Sequence, residues 1–298
     1  MDDRLVRIGR LAAVAQGLER EGAYNGAKLV RAALERELVR YAAAESPSGG
    51  AASAAALEQL VVDLGDHLPA GLGALLLGAA ASVRDGRTIA LADAPRARVC
   101  RACGEVLLGN DVPATCPTCE APAIAYRELY PTWYLEPVTR EDLLVALAAG
   151  PGHVQAAVAG HSDETLAAQP FPGEWSARQA LQHLLFAEEL FAQRVGRLLD
   201  EDDPNLAARA VWAETPASDE GSADTADPAS VIAARIAALR AATLARLLAL
   251  PVEAWSRPGT HPEWGRVTVL TQAGYFARHQ ASHMAQLVAA ANGRLPGH

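Results

Sequence analysis

Four cysteines constrain this chain more than any other feature, because they are the only ones it has and they lie close together. They form two CxxC pairs, Cys100 with Cys103 and Cys116 with Cys119, and twelve residues separate the pairs. Two such pairs supply the tetrahedral sulfur shell that zinc or iron prefers, so we predict one metal-binding knuckle rather than disulfides. Since protein sulfur would fill all four positions, we expect a structural or electron-carrying metal here rather than a hydrolytic one.

The cysteine segment resembles the rubredoxin-like domain at the end of rubrerythrins. The resemblance lies in the CxxCG motif of Cys100–Gly104, the CPxC motif of Cys116–Cys119 and the aromatic Tyr126, and it implies iron and electron transfer. Two positions depart from the pattern, since Glu105 replaces an aromatic residue and Glu120 replaces a glycine. Those departures remove groups that tune an iron–sulfur shell, so zinc is favoured and iron stays the alternative.

Residues 1–95 carry leucine and alanine at helical spacing and predict a helical N-terminal domain. A complete rubrerythrin would need a di-iron site in this domain, with two Glu-x-x-His pairs on its helices. His67 is the only histidine there, and a leucine stands three residues before it. We therefore expect no di-iron site in this part of the chain.

The sequence as a whole predicts a mainly α protein in three parts. The helical N-terminal domain covers 1–95, a rubredoxin-like or zinc-ribbon knuckle covers 96–130, and a four-helix bundle covers 131–298. Within the bundle, an acidic loop at 200–227 holds nine acidic residues and one arginine, a net charge of −8 against −9 for the whole chain. The remainder is close to neutral, so the acidity carries no information about a substrate.

Local signals predict where the helices of the bundle begin and end. Ser176 followed by Gln179 is a capping box at the start of a long helix. The run Gly150–Gly152 (GPG) predicts a break in the preceding helix, because proline lacks the N–H that a helix interior uses. Asp227 is the predicted N-cap of the next helix, and the last helix is predicted over about Val267–Ala291.

Three histidines of the bundle form a second candidate metal site. His279 and His283 are four residues apart, so they share one face of the last helix and can bind one ion. His183 lies between leucines on the helix that Ser176 opens. Three imidazoles from two packed helices would leave a position open for a reactant, which is typical of catalytic metal sites. The spacing alone is equally compatible with core histidines whose ring nitrogens are hydrogen-bonded within the protein.

The bundle is similar to the DinB/YfiT-like superfamily over about residues 140–292. The shared motifs are Phe171–Ser176 (FPGEWS), His183–Glu188 (HLLFAE) and His279–Gln286 (HxxxHxxQ). The resemblance implies an up-down-down-up four-helix bundle with a divalent metal on the three histidines of the second candidate site. Where the family often has aspartate after the first histidine of the last motif, this chain has Gln280, which removes a possible carboxylate partner of a ligand.

The same resemblance implies a function. Members of known activity are metal-dependent thiol transferases that use bacillithiol, mycothiol or related thiols, and a mycothiol-dependent maleylpyruvate isomerase. We therefore expect a metal-dependent thiol S-transferase or hydrolase, in which zinc, nickel, manganese or iron on His183, His279 and His283 activates a low-molecular-weight thiol or water against a small electrophile. Tyr275, one turn before His279, is a weak candidate for a proton donor, and a core tyrosine is the alternative.

Composition disfavours other classes of partner. A net charge of −9 argues against nucleic-acid binding, which needs clustered basic residues. Lys28 is the only lysine, so a GxxxxGK phosphate loop is absent. No signal peptide or membrane span is predicted, and the protein is expected in the cytoplasm. A homodimer is a further expectation, because short N-terminal helices bury little surface alone.

Two alternatives to the enzyme remain open. A redox protein would pass electrons from iron at the cysteines toward the histidine metal. A non-enzymatic stress or interaction module would use residues 1–95 for docking and the acidic loop as a tether. The metal content and the visible spectrum of the protein distinguish the redox reading from the others.

Overall fold

The computed structural model describes residues 3–45, 50–68, 71–87, 96–109, 111–130, 132–171, 174–206 and 227–294. Helices form most of these ranges, and the strands belong to two small antiparallel sheets, so the prediction of a mainly α protein is confirmed. The chain divides into two compact units, Met1–Thr88 and Ile89–His298. The three-part division, with its boundary between knuckle and bundle, stays a prediction. Most of the predicted acidic loop, 207–226, lies outside the described residues.

The unit Met1–Thr88 consists of two helical hairpins. Helices α1 (Asp3–Arg20) and α2 (Tyr24–Glu45) form the first, and α3 (Gly50–Leu64) and α4 (Leu72–Arg84) form the second. Among the described residues of this unit, the buried positions are all alanines: Ala15, Ala27, Ala54 and Ala80. Large apolar side chains such as Leu29 and Val62 are 73% and 72% exposed. The hairpins bury little apolar surface of their own, and the homodimer stays a prediction.

The cysteine segment folds around a small three-stranded antiparallel sheet. Strands β1 (Ala97–Cys100), β2 (Val106–Leu108) and β3 (Tyr126–Leu129) pair in the order β2-β1-β3. Cys100 lies opposite Tyr126 across β1 and β3. Both CxxC turns close in the same way: the N–H of Gly104 donates to the Cys100 carbonyl at 2.8 Å, and the N–H of Glu120 donates to the Cys116 carbonyl at 2.9 Å.

Four long helices and a short hairpin form the bundle. In chain order the elements are α5 (Arg140–Val158), α6 (Asp163–Ala167), α7 (Ala177–Asp200), α8 (Ala229–Leu248), β4 (Pro258–His261), β5 (Gly265–Thr268) and α9 (Val269–Ala291). The core lies between the long helices, where the rings of Phe191 and Phe276 stack at 4.9 Å. Within the described ranges, no helix has both the length and the apolarity that a membrane span requires.

Ion pairs between α7 and α8 indicate that these two helices run in the same direction. Glu189 pairs with Arg235, and further along both helices Asp200 pairs with Arg246. Parallel neighbours cannot be joined by a tight turn, because the chain has to return along the whole length of the bundle. The long connection over residues 201–228 meets that requirement.

Ring contacts indicate that α9 runs antiparallel to α7. The ring of His183 contacts that of His279, whereas Phe191, later on α7, contacts Phe276, earlier on α9. His183, the candidate metal ligand on α7, therefore faces His279, the first of the two candidates on α9, across the helix interface.

The start of α8 corrects the predicted N-cap. Asp227 does not cap this helix; the N-cap is Pro228, which has no capping side chain. The N–H of Ala229 instead donates to the carboxylate of Asp163 at 2.9 Å. Asp163 thus provides the acceptor that a capping side chain next to the helix would otherwise provide. Because Asp163 follows α5, the end of α5 meets the start of α8, and these helices are antiparallel. The helices α5, α7, α8 and α9 thus run up, down, down and up.

Helix α5 corrects the predicted break. It continues through Gly150–Gly152 as one helix over Arg140–Val158. Pro151 has no N–H to give to the carbonyl of Leu147, one turn earlier. Arg240 of α8 supplies the missing donor, since its Nη1 lies 3.2 Å from that oxygen. A tertiary hydrogen bond therefore replaces the helical one.

Candidate metal centre

Two capped helices carry the three histidines. Ser176 Oγ accepts from the N–H of Gln179, and the Gln179 side chain accepts from the N–H of Ser176, so the predicted capping box is confirmed. Thr268 and Thr271 make the same reciprocal arrangement at the start of α9. That helix begins at Val269, slightly later than predicted. The N-terminal ends of both ligand-bearing helices are thus fixed by their own side chains.

The structure brings His183, His279 and His283 together. One ring nitrogen from each lies within 4.8 Å of the other two, and the Nε2 atoms of His183 and His279 are 3.2 Å apart. A tetrahedral site with nitrogen ligands at about 2.0–2.1 Å from the ion has ligand–ligand edges of about 3.3–3.4 Å. The measured edge fits that arrangement, with protein supplying three of the positions.

Burial keeps two of these rings neutral. Desolvation, and then the neighbouring His283, lower the pKa of His183 to about 4 and that of His279 to about 3. Two Nε2 atoms at 3.2 Å cannot both carry a proton, so at least one lone pair points across the gap between the rings. Because metals bind neutral imidazole, both side chains are ready to act as ligands at neutral pH.

His283 is oriented by a residue of its own helix. Its Nδ1 lies 3.0 Å from Gln286 Oε1, and since an amide oxygen only accepts, the histidine Nδ1–H is the donor. In the neutral ring this leaves the Nε2 lone pair for a metal. His283 is only half-buried, whereas the other two histidines are buried. The site therefore opens on the side of His283.

Aromatic rings form the walls of the site. The ring of Trp175 lies parallel to that of His283, 6.1 Å away, and contacts His183 at 5.1 Å. Tyr275, the weak candidate for a proton donor, stacks against His279 at 5.7 Å. The tyrosine is thus next to one ligand, and the tryptophan is next to the other two.

Tyr134 belongs to the same wall, and sequence reasoning missed it. Its ring contacts those of His279 and Tyr275 edge-on at 6.0 and 5.3 Å, and its hydroxyl donates to Ser282 Oγ at 2.9 Å. It lies in a 3-10 turn, Trp133–Leu135, between β3 and α5. A turn of this kind has no periodicity, so its aromatic residues were the only available signal.

Arg278, the residue before His279, fastens that turn to α9. Its guanidinium donates to the carbonyl oxygens of Tyr134 (3.2 Å), Glu136 and Pro137 (3.0 Å). Hydrogen bonds from a charged donor are stronger than neutral ones. The chain that leaves the cysteine knuckle is therefore held directly beside the histidines.

A buried ion pair lies behind the histidines. Glu188 of α7 accepts two hydrogen bonds from Arg240 of α8, at 2.8 and 2.6 Å. Both side chains are almost completely buried. The pair adjoins a small cavity that His279 and Gln280 also line.

His261 is connected to the site through two other rings. It is buried on β4 and stacks on Trp264 at 3.8 Å, and Trp264 in turn contacts Tyr275 at 4.4 Å. The His261 Nε2 lies 3.1 Å from Nη2 of Arg194. These residues support the wall of the site rather than face its ligands.

The four cysteines also converge. Their Sγ atoms all lie within 4.8 Å of one another, and the Cys100–Cys119 and Cys103–Cys116 pairs are each 3.7 Å apart. Sulfurs at about 2.3 Å from a tetrahedral metal have edges of about 3.8 Å, so these two edges fit such a shell. Elsewhere in the described part of the chain, no further group of three candidate ligands comes together.

Backbone and side-chain groups around the knuckle stabilise a thiolate. Although burial works against it, the N–H groups of Thr118 and Cys119, with Tyr126, lower the pKa of Cys116 to about 6. Burial and the adjacent Cys116 sulfur raise the pKa of Tyr126 to about 12. Glu120, which replaces a glycine of the rubredoxin-like pattern, has a positive φ of 61°, a conformation that favours glycine.

More than half of the chain matches a known protein family. Residues 129–287, more than half of the chain, match the sequence profile of the DinB superfamily. Among solved structures the chain is similar to YfiT from Bacillus subtilis, described as a probable metal-dependent hydrolase with an unusual four-helix bundle topology. That similarity covers 53% of this chain and 90% of YfiT, with 24% sequence identity and a TM-score of 0.45. No protein of curated function matches the chain.

Proposed function

The chain belongs to the DinB superfamily, and we propose that it is a metalloenzyme whose divalent ion is held by His183, His279 and His283. Zinc, nickel, manganese and iron are the candidate ions. The reaction is attack of a low-molecular-weight thiol, or of water, on a small electrophile. The enzyme is then a thiol S-transferase in the first case and a hydrolase in the second.

One observation carries this proposal, namely the convergence of three ring nitrogens within 4.8 Å at the interface of α7 and α9. Clustering three imidazoles without an ion would bury polar groups for no structural gain. Three protein ligands leave at least one position for a reactant. A divalent ion at such a position lowers the pKa of a thiol or water and so provides a nucleophile at neutral pH.

Side chains around the three histidines orient one ligand, flank the site and interact with the substrate. Gln286 holds the Nδ1 proton of His283 and so presents the other nitrogen of that ring. The rings of Trp175 and Tyr134 flank the ligands, Trp175 beside His183 and Tyr134 beside His279. Tyr275, stacked on a ligand, is assigned the role of proton donor or of a residue that orients the substrate.

Metal content tests the proposal directly. We expect the wild-type protein to bind one ion at the histidines in addition to the ion at the cysteines, and His279→Ala to lose only the first. Elemental analysis after dialysis measures both, with the cysteine ion as an internal reference. An unchanged metal content in His279→Ala would contradict the proposal.

Activity assays then separate the two reactions. Metal-loaded protein is mixed with a small electrophile, either with a low-molecular-weight thiol or without one, and product is followed against His279→Ala. Consumption of thiol identifies the transferase, and thiol-independent product identifies the hydrolase. An absence of both with a filled histidine site would favour the non-catalytic module.

The cysteine knuckle is assigned to structural zinc, with iron and electron transfer as the second candidate. Its four sulfurs converge at spacings of a metal shell, and a closed site has no position for a substrate. The visible spectrum of the purified protein distinguishes the two ions. A colourless protein with zinc at the cysteines removes the electron carrier, and an iron–thiolate spectrum removes the zinc assignment.

A further inference from the structure

A cavity of about 10 Å³ lies behind His279 in the core of the bundle. Its polar lining consists of Glu188, Arg240, His279 and Gln280, and apolar side chains of α7, α8 and α9 complete it. This volume is close to the minimum that one water molecule needs. A buried water also needs two to four polar partners, so the question is whether these four residues offer them.

Two polar atoms of the lining residues have no hydrogen-bond partner among the described residues. They are Nδ1 of His279 and Nε2 of Gln280. The two residues are only 9% and 6% exposed, so bulk water does not satisfy them. A buried polar atom left unpaired is costly, and a native core rarely keeps two of them side by side.

The third partner is the carboxylate of Glu188. Ionised carboxylate oxygens offer about four acceptor positions, and Arg240 fills two of them through a bidentate pair. Acceptor capacity therefore remains on a group that lines the same cavity as the two residues that carry the unpaired atoms.

We propose that this cavity binds one ordered water, which accepts hydrogen bonds from His279 Nδ1–H and Gln280 Nε2–H and donates one to Glu188. Three hydrogen bonds match the usual number for a buried water. Glu188 is then a positioning residue that acts on the metal ligand through the water. Arg240 holds the carboxylate in place through its two hydrogen bonds.

The consequence concerns which nitrogen of His279 carries the proton. A proton held on Nδ1 leaves the lone pair of Nε2 facing His183, where the candidate metal position lies. Partners of this kind also raise the basicity of a ligand and fix its ring. Glu188 thereby supplies, through water, the carboxylate that Gln280 does not provide. This step rests on the proposed role of His279 as a metal ligand.

The test removes the carboxylate without leaving a buried charge. The double variant Glu188→Leu/Arg240→Met removes both charges. It also removes the Arg240 donor to the Leu147 carbonyl, so Pro151→Ala is added to restore a backbone N–H for that oxygen. Replacing a buried ion pair by apolar residues of similar size is often tolerated. The matched control removes the exposed pair Glu189–Arg235, which joins the same two helices, as Glu189→Gln/Arg235→Gln.

Two measurements decide the outcome. The first is nitrogen-15 NMR of protein with Zn²⁺ at the cysteines and no metal at the histidines. With His279→Ala for assignment, it reports which ring nitrogen of His279 is protonated. Co²⁺ titration of protein whose cysteines already hold Zn²⁺, followed by visible absorption, reports the affinity of the histidine site. We expect Nδ1 protonation of His279 in wild type and in the Glu189/Arg235 control. In the triple variant we expect its loss and a fall of about 10- to 100-fold in Co²⁺ affinity.

Other results separate the inference from the function on which it rests. A wild-type His279 protonated on Nε2 overturns the inference, and this readout needs no variant. A triple variant with the wild-type protonation and Co²⁺ affinity within about twofold also overturns it. Wild-type protein with the expected Nδ1 proton that binds no Co²⁺ overturns the metalloenzyme and leaves the water-mediated contact standing.

Discussion

Arg240 donates a hydrogen bond to the carbonyl oxygen of Leu147, 3.2 Å away on the facing helix. In an ordinary helix that oxygen would accept from residue 151, but Pro151 has no N–H. The same guanidinium binds Glu188. One arginine therefore completes α5 and neutralises the buried acid of α7, which explains why neither the proline nor the acid disrupts the bundle.

We expect Pro151→Ala to stabilise the protein more in the absence of the ion pair than in its presence. In Glu188→Leu/Arg240→Met the Leu147 carbonyl is buried without a partner, which costs about 1–3 kcal/mol, and Pro151→Ala restores a donor. The gain in helix propensity is common to both backgrounds and cancels. Urea unfolding of the four proteins gives the difference, which we expect to reach about 1 kcal/mol. Equal gains in both backgrounds would refute this account.

Features that depend on residues close together along the chain were predictable from the sequence. The capping box of Ser176 and Gln179 involves residues three apart, and its hydrogen bonds follow from helix geometry. His279 and His283 share a face for the same reason. His183 became a candidate because it lies between leucines on a second predicted helix, and the family resemblance then implied that it is a ligand.

Features whose deciding partner lies far away along the chain were not predictable from the sequence. Arg240 is 93 residues from Leu147, and no local pattern tells that this arginine carries α5 through Gly150–Gly152. The cap of α8 is equally remote, since Asp163 is 66 residues from Ala229. Such partners become visible only after the helices have been packed together.

The side-chain amide of Gln280 packs directly against Gly150, and the buried Gln280 has little room to move away. A Cβ at this position would collide with the amide of Gln280, so Gly150→Ala should destabilise the protein by about 1–3 kcal/mol despite the higher helix propensity of alanine. Adding Gln280→Ala should recover most of that loss. Gly152, on the same helix, faces open space, and Gly152→Ala should instead stabilise by up to about 1 kcal/mol. Thermal or urea unfolding compares them, and a neutral Gly150→Ala would count against this packing.

Glu120 holds a backbone conformation that suits glycine, with φ of 61°. Glu120→Gly should therefore stabilise the knuckle by roughly 0.5–1 kcal/mol, because relief of the strain exceeds the entropy cost of glycine. The measurement is the rate at which a chelator removes the cysteine-bound ion, together with the unfolding temperature. Glu120→Ala keeps a Cβ and should give no gain. A gain of equal size in Glu120→Ala would show that strain is not the cause.

The free energy of unfolding of the metal-free protein should decrease as the pH is lowered below about 6.5. The folded-state pKa values of His183 and His279, about 4 and about 3, lie below the ordinary 6.5, so the unfolded chain binds protons first. Each residue's contribution is fully present above about pH 6.5 and is lost as the pH falls through the folded pKa. At pH 5 the loss relative to neutral pH is about 2 kcal/mol for each.

Urea unfolding at pH 7 and pH 5, in the presence of a chelator, measures that loss. The variant His183→Leu/His279→Leu fills the same buried positions with apolar side chains that do not titrate. It should lose most of the difference between the two pH values. A wild-type protein as stable at pH 5 as at pH 7 would contradict the buried, neutral state of the two rings.

Arg278 should control how firmly the turn around Tyr134 is held against α9. Arg278→Lys keeps the positive charge but cannot span three carbonyl oxygens with a rigid fork, and these include those of Tyr134 and Pro137. We expect a loss of about 1–2 kcal/mol in the local stability of residues 133–137. Hydrogen exchange of the backbone amides of Tyr134, Leu135 and Glu136, which donate hydrogen bonds within the turn, measures it as protection about tenfold lower than in wild type. Arg235→Lys, in an exposed pair elsewhere on the bundle, should leave that protection unchanged. Equal protection in Arg278→Lys and wild type would mean that the packing of the tyrosine ring alone holds the turn in place.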